Sequence, residues 1–267
     1  MSRPRIRLTA RVVDARRRVL RRTHAAALGA RALLFAGVLL SLLAGAATAA
    51  PTDLMRVLDN SGSMRKNDPE FLLEAAVTTF VQALDSEIRA GLVIFDEGVD
   101  YAVPLASLDS DTRAAIERAV GGIDYRGQYT NSPAAIERAI YELKNGVRDG
   151  AAQVIVFMTD GIVDTGNAGI DAEKTKWLRE ELAADAAANG IRVFGIAFTE
   201  NADFFLIQSL AAKTGGEYFR ATGAADLAGV FGAVQDKLSV AAAPPAPAPP
   251  PAAAPAPAAP APPVGAA

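Results

Sequence analysis

Between Leu54 and Leu238, short apolar runs alternate with stretches whose apolar residues recur at helical spacing. This alternation restricts the fold more than any other feature. Strand-helix-strand units close by crossover connections, which lay strands parallel and put helices on the sheet faces. Six runs read as strands: Leu54–Leu58, Ala90–Phe95, Tyr101–Leu105, Gln153–Met158, Ile191–Phe198 and Glu217–Arg220. Gln153–Met158 is nearly all apolar, as expected of a strand covered on both faces. Asp96-Glu97-Gly98 is too short for a crossover, so the third strand is expected to run antiparallel. Helices are expected over Glu70–Asp85, Thr112–Val120, Ser132–Lys144, Asp171–Ala188 and Ala202–Lys213. Leu227, Val230, Phe231, Val234 and Leu238 mark a last one. Ser132-Pro133 reads as a cap followed by proline at the first helical position. The expected fold is α/β: a doubly wound, Rossmann-like, mostly parallel six-stranded sheet with one antiparallel edge strand and helices on both faces. Ligands of such sheets gather beyond the carboxyl ends of the strands, near the reversal of strand order.

Two aspartates stand at such ends. Asp59 closes the first apolar run and opens Asp59-Asn60-Ser61-Gly62-Ser63, a D-x-S-x-S pattern. Alternate side chains share a face while the chain stays extended, so Asp59, Ser61 and Ser63 converge. A carboxylate and two hydroxyls are hard oxygen donors, suited to a small hard cation. Asp160 closes the run Phe157-Met158-Thr159, and Thr130 precedes a helical pattern. Nearby acids have plainer explanations. Asp164 reads as a solvated loop residue, Asp96 and Glu97 as a hairpin turn, and Asp68-Pro69-Glu70 as a helix start.

Asp59, Ser61 and Ser63, then Thr130, then Asp160 fall at intervals of about 70 and about 30 residues. In this they resemble the metal-ion-dependent adhesion site of a von Willebrand factor type A domain, a likeness that spans roughly Asp53 to Leu238. The resemblance implies a strand order 3-2-1-4-5-6, with the strands that end in Asp59 and Asp160 as neighbours. It implies Mg2+ as the ion, with Mn2+ or Ca2+ as alternatives. Ser61, Ser63 and Thr130 would then bind the metal directly, and Asp59 and Asp160 through waters or outer hydrogen bonds. A coordination position would remain for an Asp or Glu of a partner protein.

Composition narrows the function further. The chain has no cysteine, and its one histidine is His24. The residues from 51 onward therefore cannot build a Ser-His-Asp triad or a histidine zinc site. Phosphate-loop, dinucleotide and nucleophile-elbow motifs are missing as well. Ser61 stands where haloacid-dehalogenase-like enzymes carry a second aspartate, so a phosphohydrolase is the least favoured reading. A scaffold whose metal only stabilises the upper loops is the main alternative to a binding module.

Three segments are expected: a signal peptide over 1–50, a domain over 51–240 and an Ala/Pro-rich tail over 241–267. The first 50 residues hold ten arginines and one acid, with an apolar core from Leu33 to Leu43 and Ala47-Thr48-Ala49 before Ala50-Pro51. That order is the signature of an export leader, which implies a periplasmic or envelope location or secretion. Membrane association is expected only if the leader is retained. Removing those eleven charges from the totals of 27 basic and 30 acidic residues leaves 17 and 29. So acidic a remainder argues against nucleic acid as a partner. The segment from Ala241 has 11 of the 16 prolines and no charge, and cannot bury a core. Deleting everything after Val240 is expected to leave the melting temperature unchanged; a fall of several degrees would show that the tail packs on the domain.

Overall fold

The computed structural model describes residues 51–199 and 202–241. The expected leader lies outside them, as does all of the tail beyond Ala241. Six strands form one sheet: β1 (Thr52–Asp59), β2 (Ile88–Phe95), β3 (Val99–Ser107), β4 (Ala152–Thr159), β5 (Ile191–Phe198) and β6 (Tyr218–Ala221). Their order is β3-β2-β1-β4-β5-β6. All neighbours pair parallel except β2 and β3, which are antiparallel, as the short link between them requires. The order reverses between β1 and β4, so Asp59 and Asp160 emerge side by side from adjacent strands.

The helices are α1 (Met64–Asn67), α2 (Leu72–Ala83), α3 (Ser110–Val120), α4 (Ser132–Asn145), α5 (from Ala168), α6 (Phe204–Lys213) and α7 (Leu227–Ala241). The sheet divides the core in two. Leu54, Leu58, Val154, Val156 and Phe198 pack against α2, α3 and α7 on one face. Met55, Val57, Ile155, Phe157 and Val193 pack against α4, α5 and α6 on the other. All eight residues of β1 are buried, as a central strand between two helical layers demands.

Three local differences from the sequence reading have physical causes. The helix expected from Glu70 begins at Leu72, because the Asp68 carboxylate accepts from the amides of Leu72 and Leu73 and fixes the first turn there. The expected cap Ser132 is already helical, and Asn131 takes the cap position. The helix expected as one piece over Asp171–Ala188 starts at Ala168, where Asn167 caps it. It is α-helical over Ala168–Trp177, widens to a π-turn over Leu178–Leu182, then continues as Ala183–Ala188. Leu178 and Leu182 are buried in either geometry.

Arg56 is the polar exception in β1 and is fully buried. Its Nε and Nη2 donate to the Gly91 carbonyl, where the pairing of β2 with β3 slips. Its Nη1 has no partner among the described residues. Burial, and secondarily Arg113, push its pKa down to about 9.

Candidate functional site

The five residues singled out from the sequence meet at one end of the sheet. Asp59 is wholly buried. Its Oδ1 accepts from the Ser61 amide at 2.7 Å, and its Oδ2 accepts from the Thr159 hydroxyl. Ser61 Oγ and Ser63 Oγ are 3.1 Å apart. Ser63 Oγ donates to Asp160 Oδ1 at 2.7 Å, and the Asn67 side-chain amide donates to Asp160 Oδ2. Thr130 comes from the second loop. A Cβ added at Gly161 would lie 3.6 Å from Thr130 Oγ1 and 3.8 Å from Ser63 Oγ, so both hydroxyls border one small space that a side chain at Gly161 would fill.

The electrostatics of this cluster are unfavourable as it stands. Burial, then the neighbouring Asp160 charge, push the Asp59 carboxyl up to about 7. Asp160 is shifted in the same direction by burial. Two carboxylates withdrawn from water and facing each other resist joint ionisation. The consequence for stability follows from sign. The unfolded chain releases the Asp59 proton in the ordinary carboxylate range, whereas the folded chain holds it until about pH 7. In EDTA, stability from this group is therefore gained as pH falls below about 7 and is lost as pH rises through it. Thermal melts in EDTA are expected to run higher at pH 5.5 than at pH 8, by a margin that Asp59→Asn reduces. A margin unchanged in Asp59→Asn would contradict this account.

The donor set needs its hydroxyls. Among the described residues, no three His, Cys, Asp or Glu gather as a metal-binding group. Two carboxylates and three hydroxyls are hard neutral or anionic oxygens, and a divalent cation among them would relieve the carboxylate repulsion.

Sequence reasoning did not identify the residues that hold these loops together. Asn60 Oδ1 accepts from the amides of Asp124 and Tyr125, while its own amide donates to the Phe95 carbonyl. The Gly62 amide donates to the Gly127 carbonyl at 2.8 Å. Asp68 is fully buried and accepts from the Tyr125 phenol as well as from the α2 amides. Asp96 and Glu97 do form the hairpin turn, yet they also support the second loop. The Asn131 amide donates to the Asp96 carbonyl, and the Gln128 amide to Glu97 Oε2. Asp164 is exposed, as expected, but its backbone exchanges two hydrogen bonds with Thr130. Apart from the local bonds of Asp68 to α2, these anchors join residues 31 to 65 positions apart, so no local pattern reveals them.

A family model described as von Willebrand factor type A domain matches residues 53–233. No curated protein gives a match. Among solved structures, a von Willebrand factor type A protein from Catenulispora acidiphila is 20% identical with a TM-score of 0.59, over 72% of this chain and 43% of that one. The conserved hypothetical protein BatB from Bacteroides thetaiotaomicron is 18% identical with a TM-score of 0.56, over 72% of this chain and 98% of its own. Proximal thread matrix protein 1 from the mussel byssus, with a zinc-occupied MIDAS motif, is 17% identical with a TM-score of 0.55, over 70% of this chain and 48% of that one. At such identities these likenesses carry the fold alone.

Proposed function

Because the chain belongs to the von Willebrand factor type A family, we propose that it is an exported binding module that holds a divalent cation, Mg2+ foremost, and offers it to an acidic residue of a partner protein. The observation that supports this most is the convergence of Ser61, Ser63 and Thr130 hydroxyls beside two crowded carboxylates, Asp59 and Asp160. The three hydroxyls would hold the ion directly. Asp59 and Asp160 would balance its charge while orienting the serines through the bonds described above. The ion supplies an electrophilic centre for a carboxylate. Neutral hydroxyls quench its charge less than carboxylates would, which favours capture of an anionic group. The mussel protein, whose MIDAS motif holds zinc, shows that a protein of this fold can carry a divalent ion.

Two other readings have less support. A scaffold whose metal locks the upper loops is not needed for order, since backbone and side-chain bonds already tie the loops together. An aspartyl-phosphate enzyme would need Asp59 free to attack, and both of its oxygens accept hydrogen bonds in a buried setting. The export leader expected over 1–50 supports a location in the periplasm or envelope, or secretion. The direct test is capture of partners from an envelope extract by the immobilised domain in Mg2+ and in EDTA. A protein retained in Mg2+, released by EDTA and not retained by Asp160→Ala is the expected result. Equal recovery in EDTA would refute metal-mediated capture.

A further inference from the structure

Two bulky residues near the site adopt left-handed backbone: Phe71 at φ 54° and Tyr125 at φ 52°. A non-glycine residue in this region persists only where its surroundings hold it there. Here the two residues hold each other, with rings stacked at 4.9 Å and 6° from parallel. Tyr125 also clasps the first loop at both ends. Its amide donates to Asn60 Oδ1 at 2.8 Å and its phenol to Asp68 Oδ2 at 2.7 Å. Asn60 and Asp68 bracket Ser61 and Ser63, and Thr130 follows Tyr125 by five positions. The intervening Gly127 carbonyl receives the Gly62 amide, where a Cβ at Gly62 would come within 2.9 Å of it.

Resting on the metal reading above, we infer that Tyr125 is a positioning residue: its grip on Asn60 and Asp68 fixes the separation of the two serines from Thr130 and so tunes the site to a small ion. Mg2+ requires a tight, near-octahedral set of oxygens, whereas Ca2+ accepts longer bonds and looser geometry. A rigid clasp therefore penalises the larger ion. Without the phenol bond, Tyr125 keeps its ring stack and its amide bond to Asn60 but loses its hold on the Asp68 end of the first loop. Thr130 stays pinned to Asp164 by two backbone bonds, so it is the serine loop that slackens, and the serines gain freedom relative to Thr130. Mg2+ loses most from that freedom and Ca2+ least.

Calorimetric titration of the full chain with Mg2+ and with Ca2+ tests this. Tyr125→Phe keeps the ring stack and removes the phenol. It is expected to weaken Mg2+ binding about tenfold, in line with residues that orient metal ligands, and Ca2+ binding less than about threefold. Phe71→Ala removes the stack and keeps the phenol bond. It serves as the second probe should Tyr125→Phe not fold, and is expected to shift the ratio the same way. Equal losses for both ions would reduce the clasp to a stability element and overturn the inference, as would unchanged affinities. Failure of wild type to bind Mg2+ in the same titration would instead remove the metal reading itself, so the two failures are told apart.

Discussion

Ser61→Ala combined with Ser63→Ala is expected to abolish calorimetric Mg2+ binding while the domain remains folded. The substitutions remove two hydroxyls without adding charge or bulk. The sheet core, drawn in part from Val154–Phe157 and Ile191–Phe198, is untouched. On this reading Mg2+ is expected to raise the melting temperature of wild type by binding the native state preferentially. At 100 times Kd that stabilisation is about 2.7 kcal/mol, and the double variant shows none of it. Asp160→Ala also loses the ion. In EDTA its melting temperature equals or slightly exceeds that of wild type, because Asp59 no longer faces a second carboxylate. The same titrations with Mn2+ compare a second hard ion at the same oxygens. Unchanged Mg2+ binding in the double serine variant would sink the site assignment.

The second large effect is on stability. Asp68→Ala is expected to destabilise the domain by about 3 kcal/mol, since it withdraws the cap of α2 and leaves a buried phenol without its acceptor. For a domain of this size that is a fall in melting temperature of roughly 10 °C. Asp68→Asn keeps an oxygen acceptor and is expected to lose less than half as much. Urea melts of the two variants decide the matter. Equal losses would mean that the carboxylate charge, and not the hydrogen bonds, supports the loop.

The strands were legible because most are short apolar runs bounded by turn signals, and the sheet order is the one that the family resemblance implied. Asp59 and Asp160 were legible as residues at strand ends. Other features escaped for definite reasons. The four residues of α1 are too few to show a period. The π-turn at Leu178–Leu182 leaves the spacing of buried leucines unchanged in sequence. Asn131 escaped because Ser132-Pro133 matches a cap followed by proline; its side chain makes no capping bond, donating to the Glu97 carbonyl and accepting from Lys174 instead. Asp68 read as part of a helix start, Asn60 as part of the first loop and Tyr125 not at all, and only the tertiary fold brings them together.

The outermost strands bear on how the protein behaves in company. An exposed strand with free backbone groups is a template on which another chain can add itself. On one side, β3 pairs irregularly with β2, with slips between Ala90 and Leu92 and between Leu92 and Ile94. It also places Pro104, which has no amide hydrogen to offer, within its length. On the other side, β6 is only four residues long. Neither rim offers a long, regular row of donors and acceptors. Copies of the chain can therefore stand close together without zipping edge to edge into fibres.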